Sequence, residues 1–174
     1  DVITNTGTIE AGVNSIGIYS FGGTVDQNSV ITTGGTGVYA DSATVNLNAG
    51  STLTTGDNGA VGVYAINGSN VTNLGTTTVG NGSYGYALKS GSNLTNNSSV
   101  TVGDNGTFVY GDGAGTINNN ADVLLTGSDS FGFYTVNGGS ITNGGEITGD
   151  TGVSNIGIYS KDGNIYNTGN ITVG

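Results

Sequence analysis

The 174-residue chain contains no Cys, His, Pro, Met, Trp or Arg, and its only cations are Lys89 and Lys161. Without Cys and His, the sequence excludes disulfide bonds, thiolate or imidazole zinc sites, and Cys- or His-based catalysis. With a net charge of −10, no basic stripe exists that could neutralise phosphates. We therefore expect no cofactor, no metal, no nucleic-acid partner and no direct contact of this segment with a membrane surface.

The abundant residues are small or polar: 35 Gly, 26 Thr, 23 Asn and 16 Ser. This composition is also found in disordered chains, yet 34% of the residues are hydrophobic. No apolar run approaches the 18 residues or so of a membrane-spanning helix. The apolar residues recur in a fixed order, which indicates an ordered repeat protein and not a disordered chain.

The first repeated motif reads Gly, apolar, Tyr, as in Gly17-Ile18-Tyr19. Its third position recurs at intervals of 20 to 25 residues, with Ala87 as the one departure from Tyr. The tyrosines at this position are Tyr19, Tyr39, Tyr64, Tyr110, Tyr134 and Tyr159.

The second motif reads apolar, any, Asn, any, small, and a third apolar or Thr position follows six residues after its start. Gln27 replaces Asn in one copy, and Asn48 fits if one residue is inserted before it. Stacked Asn side chains exchange amide hydrogen bonds. We expect a structural Asn ladder, largely buried from position 73 onward, formed by Asn5, Asn48, Asn73, Asn96, Asn119, Asn143 and Asn167.

The motifs predict three short strands, rich in Val, Ile, Thr and Tyr, and this group of three recurs about every 23 residues. Such a unit is typical of one coil of a parallel β-helix. We predict an all-β fold, a right-handed single-stranded β-solenoid of 7–8 coils with three short strands each. Alternation predicts that Ile16 and Ile18 point inward, whereas Gly17 and Tyr19 point outward. We expect residues 1–174 to form one β-helix segment of a longer repetitive chain, without caps of its own.

One corner carries Asp57, Asn81, Asp104, Ser128 and Asp150 in successive coils. Every second member is neutral, which we interpret as a device that keeps like charges two coils apart.

The coil pattern of an apolar-Gly-apolar-Tyr strand followed by apolar-x-Asn-x-Gly resembles the β-helical passengers of type V autotransporter adhesins. It is most similar to the large outer-membrane adhesins of fusobacteria. The resemblance implies an extracellular rod anchored to the bacterial outer membrane by a C-terminal β-barrel that is outside these residues. It also implies adhesion to a host-cell glycoprotein or glycan, or to the surface of a partner bacterium. The 14-residue repeat of trimeric adhesin heads is absent, so we expect a monomeric rod.

The outward tyrosines, Tyr19, Tyr39, Tyr64, Tyr110, Tyr134 and Tyr159, are the candidate ligand-binding residues, because stacked rings offer a flat strip to sugars or proteins. The simpler interpretation is that these rings only cover the backbone and stabilise one another.

Two other classes of function stay open. A polysaccharide-active enzyme would need a carboxylate pair such as Asp104 and Asp150, but these occupy equivalent corners and no Arg or His accompanies them, so we expect no catalysis. An ice-binding solenoid would need Thr-x-Thr ranks, of which Thr52 to Thr54 and Thr76 to Thr78 are the clearest.

Overall fold

A computed structural model describes all residues from Asp1 to Gly174. It contains 23 strands and no helix, and every strand pair is parallel. The first sheet consists of β1 (Val2–Asn5), β4 (Thr24–Gln27), β7 (Thr44–Leu47), β10 (Asn70–Asn73), β13 (Asn93–Asn96), β16 (Thr116–Asn119), β19 (Ser140–Asn143) and β22 (Asn164–Asn167).

The second sheet consists of β2 (Ile9–Ala11), β5 (Val30–Thr33), β8 (Thr52–Thr55), β11 (Thr76–Val79), β14 (Val100–Val102), β17 (Val123–Leu125), β20 (Ile147–Gly149) and β23 (Ile171–Thr172). The third sheet consists of β3 (Ile16–Phe21), β6 (Thr36–Asp41), β9 (Val61–Ile66), β12 (Tyr84–Lys89), β15 (Thr107–Asp112), β18 (Phe131–Val136) and β21 (Ile156–Ser160).

The chain is a β-solenoid of about seven turns, with one strand from each turn in each of the three sheets. Each strand pairs with its equivalents in the neighbouring coils, so that Val71 lies beside Val45 on one side and Leu94 on the other. The sequence prediction of a parallel all-β solenoid with three strands per coil is confirmed.

One hydrophobic core of 27 buried residues runs along the solenoid axis. In the first sheet, each inward-facing aliphatic side chain stacks on a similar side chain of the next coil. The buried members of this row are Val25, Val45, Val71, Leu94, Ile117 and Ile141. Each buried branched side chain removes apolar surface from water, at about 25 cal/mol per Å². Because each coil contributes only a few such side chains, the coils depend on their neighbours for stability.

The expected alternation is wrong at the start of the third-sheet strands. A Cβ on Gly62 would meet the Leu53 side chain of the second sheet at 2.8 Å and the Gly85 carbonyl oxygen at 2.5 Å, so Gly62 faces the interior. Gly17 likewise faces Ile9, and Ile16, which we expected to be buried, is 49% exposed. Two consecutive interior positions replace the strict period of two because Gly lets the coils approach closely there.

Phe108 occupies the position that is Gly in the other coils, and it is completely buried. Its ring packs edge-to-face against Tyr86 at 5.7 Å and Phe133 at 5.3 Å between centroids. This aromatic cluster fills the middle of the core, where the neighbouring coils carry Val or Ile.

The Asn ladder is continuous in five successive coils. Asn73, Asn96, Asn119 and Asn143 each donate an Nδ2–H to the Oδ1 of the next member, at 2.7–2.8 Å, and Asn167 ends the series. The first four are fully buried, whereas Asn167 is exposed in the last coil, contrary to expectation.

Asn48 does not belong to this ladder, which corrects the sequence prediction. Leu47 pairs with Gln27 and Asn73 at the ladder position, and the Asn48 side chain donates to Asn28 on the outer surface. Val45 pairs in register with Val25 and Val71, so Leu47 falls at the ladder position and Asn48 is the first residue of the turn. As a result, Asn5 and Gln27 form a separate pair, and the buried Gln27 Nε2 has no hydrogen-bond partner.

The acidic corner also forms a ladder, a feature that our reading of charge spacing missed. The Oδ1 atoms of Asp57, Asn81 and Asp104 each accept the backbone N–H of the equivalent residue in the next coil, at 2.7–2.9 Å. The Ser128 hydroxyl accepts the N–H of Val153, so Val153 occupies the corner position that we expected for Asp150. The Asp150 N–H instead donates to the Leu125 carbonyl, at the end of the second-sheet strand, which corrects the sequence prediction. Acceptor side chains therefore satisfy turn amides that the sheets leave unpaired.

A polar contact between the second and third sheets also lies in the interior. The hydroxyls of Thr77 and Tyr86 are hydrogen-bonded at 2.8 Å, and both side chains are fully buried. Burial raises the pKa of Tyr86 above its ordinary value, and the Thr77 hydrogen bond opposes this only in part. The Tyr86 phenol is therefore neutral, and its polar atom is satisfied by a single partner.

The chain forms no helix of the length and hydropathy needed to cross a bilayer.

We predict that Asn96→Ala lowers the free energy of unfolding by about 1–3 kcal/mol, because it leaves the Asn73 amide and the Asn119 carbonyl without their partners in the core. Thr95→Ala, one residue away on the outer side, is the matched control. Denaturant titration checks both variants. Equal midpoints for the two would refute a stabilising ladder.

We predict that Thr77→Val and Tyr86→Phe each destabilise the protein by about 1–3 kcal/mol, because each leaves one buried hydroxyl unpaired. The double variant removes both hydroxyls, so its loss should be smaller than the sum of the two single losses. A double-mutant cycle from denaturant titrations measures the difference. Strict additivity would show that the hydroxyls are not coupled.

Candidate functional site

The six tyrosines of the Gly-apolar-Tyr motif lie on the outer side of the third sheet and form two stacks, which we call the Tyr row. In the first stack, Tyr19, Tyr39 and Tyr64 follow one another with ring centroids 5.3 and 5.1 Å apart. In the second stack, Tyr110 and Tyr134 are 6.0 Å apart, and Tyr134 and Tyr159 are 4.7 Å apart. Interplanar angles of 12–29° make these contacts near-parallel.

The exposure of the tyrosines differs along the row. Tyr19 and Tyr159, in the outer coils, are 56% and 38% exposed, and the other four are half-buried by their neighbours. Stacking between coils therefore covers part of each ring, as the simpler structural interpretation requires, and leaves the remaining edge to solvent.

Ala87 interrupts the Tyr row between its two stacks. It pairs with Tyr64 on one side and Tyr110 on the other, so one ring is missing between them. A notch of about 200 Å³ lies there, lined by Val61, Tyr64, Tyr84, Ala87, Lys89 and Tyr110.

Lys89 lies at the edge of this notch. Its ammonium is 5.8 Å from the centroid of the Tyr64 ring, within the range of a cation–π contact, and 3.9 Å from an Asp112 carboxylate oxygen. Electrostatic interaction with Tyr64 is the largest cause that raises the pKa of Lys89, partly opposed by burial. The notch therefore holds a positive charge in an otherwise acidic protein.

A second depression adjoins the notch. Thr107 is small and buried, and it lies between its register neighbours Tyr84 and Phe131. The trough above it measures about 430 Å³ and is lined by Tyr84, Asn105, Thr107, Tyr110, Asp129, Phe131, Tyr134 and Val136. Tyr84 and Tyr110 border both depressions, which together we call the aromatic groove.

The sequence did not lead us to expect that Tyr84 and Phe131 contribute to this surface. Both stand at the first strand position, which strict alternation placed inside. Tyr84 is instead 37% exposed and packs edge-on against Tyr110, and Phe131 packs edge-on against Tyr134. The sequence signal for this arrangement was the Gly after each first position, which turns inward and reverses the expected faces.

The Thr residues of the second sheet form a longer row than the sequence indicated. Strand register aligns Thr32, Thr54, Thr78 and Thr101, then Leu124, then Thr148 and Thr172. The adjacent outward positions are mixed, with Val30, Thr52 and Thr76 in register. Asp122 and Glu146 lie beside the part of the row around Leu124 and Thr148, so the surface is not a regular Thr array.

The carboxylates near the candidate residues are engaged in hydrogen bonds or an ion pair. No group of three or more Asp or Glu side chains is placed to hold a metal ion. Asp104 is engaged by the Ser128 amide in the corner ladder. Asp112 faces Lys89 and accepts a hydrogen bond from Asn137 at 2.6 Å.

Comparisons with models of protein families, with curated proteins and with solved structures gave no significant match.

We predict that the Tyr39 phenol ionises above the ordinary value of about 10. Burial is the main cause that raises its pKa, followed by Tyr64 and Asp41. Since the fold favours the neutral phenol, its contribution to stability is constant below that ordinary value and is lost as the pH rises through the higher folded-state pKa.

Carbon NMR of labelled tyrosine measures this titration. Asp41→Asn keeps the Oδ1 that accepts from Asn67 but removes the charge, so it should lower the pKa of Tyr39. A Tyr39 titration at the ordinary value in both proteins would contradict this account.

Proposed function

We propose that the chain is an adhesive and structural segment of a bacterial surface protein, and that any recognition it performs uses the Tyr row. The supporting observation is the pair of aromatic stacks on one outer face of the solenoid. Other outer faces of the same solenoid carry mainly Thr, Asn and Ser in register. Tyr and Trp surfaces are common in recognition because they combine a large apolar area with a polar tip.

The regularity of the rod supports a shaft role. Turns between strands are short, so no protruding loop builds a deep pocket. Nearly equivalent coils extend the molecule along one axis by about 4.8 Å each. A net charge of −10 spread along such a rod favours solubility of an exposed surface protein.

The proposed location and partners follow from the resemblance to autotransporter passengers. In that setting, the segment lies outside the cell, held through other parts of the protein to the outer membrane. Its partner is a host-cell glycoprotein or glycan, or the surface of another bacterium. In this proposal the segment binds and does not catalyse a reaction, because a repeated face can bind a partner without any coil that carries a distinct set of reactive side chains.

Ice binding is the second candidate, and the aligned Thr row of the second sheet is the observation in its favour. Leu124 interrupts that row, and acidic side chains flank it. Thermal hysteresis measured on the purified segment decides between the two candidates. A clear difference between the melting and freezing temperatures supports ice binding, and its absence removes that candidate.

We predict that substituting Tyr39, Tyr64 and Tyr110 together by Thr preserves the β-sheet circular dichroism and lowers binding to host cells or partner bacteria. Loss of these three tyrosines removes half of the six rings of the row but leaves the interior ladders intact. Flow cytometry with the labelled segment measures binding.

The control is a triple variant on the Thr row, Thr54, Thr78 and Thr101 to Ser. It should bind as the wild type does. If the wild type binds nothing, the segment is a spacer only. If the Tyr variant binds as well as the wild type, the contact surface lies elsewhere on the rod.

A further inference from the structure

The aromatic groove differs from the rest of the Tyr row because it is concave. Elsewhere, rings stack about one coil apart and leave no gap, as between Tyr19 and Tyr39. At Ala87 the gap between Tyr64 and Tyr110 spans two coil spacings, roughly 9.6 Å. Tyr84 and Lys89 also line this gap, and a notch of about 200 Å³ remains between the two tyrosines, enough for one six-membered ring.

The notch at Ala87 favours a ring that carries a negative charge. Lys89 is one of only two cations in the chain, and it lines this notch. Its nearest carboxylate oxygen, on Asp112, is 3.9 Å away, which is longer than a hydrogen bond. Ammonium N–H donors therefore remain available to an incoming carboxylate, whereas the second cation, Lys161, lies in an exposed turn outside the groove.

The trough over Thr107 favours a neutral, hydroxyl-rich ring. Its walls are the rings of Tyr84 and Phe131, and Asn105 and Asp129 are exposed at its rim. Aromatic walls cover the apolar faces of a sugar, while the amide and the carboxylate are partners for hydroxyl groups. A second anionic ring would meet the Asp129 charge there.

A peptide suits this groove less well than a sugar does. Extended peptides gain affinity by pairing with a free strand edge. The strands under the groove, β12 and β15, are paired on both sides within the solenoid. The groove therefore offers ring faces and side-chain polar groups, but no free row of backbone donors and acceptors.

We propose that the aromatic groove binds an acidic oligosaccharide, with a carboxylate-bearing sugar in the notch at Ala87 and a neutral sugar in the trough over Thr107. This inference rests on the proposed adhesive function and names its ligand class. The two subsites share Tyr84 and Tyr110, so adjacent sugars of one chain contact a continuous aromatic surface.

Titration calorimetry with matched pairs of neutral and acidic glycans tests the proposal: lactose with sialyllactose, and chitotetraose with a hyaluronan tetrasaccharide. We expect at least one acidic member to bind more tightly than its neutral partner. Ala87→Tyr fills the notch with the ring found in other coils, so it should weaken that binding more than tenfold without loss of stability. Leu124→Tyr adds a ring on the second sheet instead and should have no effect.

Lys89→Gln tests the charge separately from the shape. It should weaken binding of the acidic glycan about fivefold, the scale of one solvent-accessible ion pair. Lys161→Gln removes the other cation and is the matched control. Equal losses for the two variants would point to net charge alone and would overturn the assignment of the carboxylate to Lys89.

The outcomes separate this inference from the function on which it rests. Preference for an acidic glycan that is lost in Ala87→Tyr and Lys89→Gln supports the proposal. Cell binding that depends on the Tyr row, without preference for any acidic glycan, overturns the proposal and leaves the adhesive function standing. Absence of both cell and glycan binding overturns both.

Discussion

The structure depends on one constraint: each strand pairs in parallel with its own equivalent about 4.8 Å away. Every side chain therefore meets the same position of the repeat above and below it, and only residues that tolerate contact with their own kind can persist along a row. Val, Leu and Ile satisfy this in the core, because like apolar side chains interdigitate. Asn satisfies it because an amide both donates and accepts, so a column of Asn can pass hydrogen bonds in one direction. Tyrosine satisfies it outside through near-parallel rings.

The same constraint explains why interruptions have different consequences inside and outside. Leu47 breaks the amide ladder in the interior, where the Nε2 of the buried Gln27 has no hydrogen-bond partner. Ala87 breaks the aromatic row on the outer side of the third sheet, where the neighbouring side chains cover Ala87 itself and leave a notch of about 200 Å³. An interior break lowers stability, since a buried unpaired polar group costs about 1–3 kcal/mol. A surface break of one ring costs little and changes the shape that the rod offers to other molecules.

Most of the fold followed from the sequence, because the repeat shows its period directly and strand-forming residues recur at the same three places in it. Register was predictable wherever each motif kept its own internal spacing, even though the interval between coils varied from 20 to 25 residues. It failed at Asn48, because we placed the extra residue before Asn48, whereas strand pairing places it in the turn after Leu47, and nothing local marks which residue is extra. The prediction of which third-sheet residues face inward was wrong for another reason. Period two assumes a regular strand, and the inward Gly between Val61 and Val63 places two successive residues inside. Contacts across the lumen, such as Thr77 with Tyr86, depend on which sheets face each other, and a one-dimensional repeat does not contain that information.

The candidate site was predictable in its tyrosines but not in its shape. A consensus directs attention to residues that recur, whereas the concave part of the surface arises where the recurrence stops, at Ala87 and at Thr107. In a solenoid with short turns, a side chain missing from a row is the simplest way to create a concave site, because the neighbouring coils hold its walls at a fixed distance. Those walls are already ordered by stacking and strand pairing, so a ligand that enters the gap need not order them. The coils that depart most from the consensus are therefore the ones in which a regular rod gains the means to distinguish one partner from another.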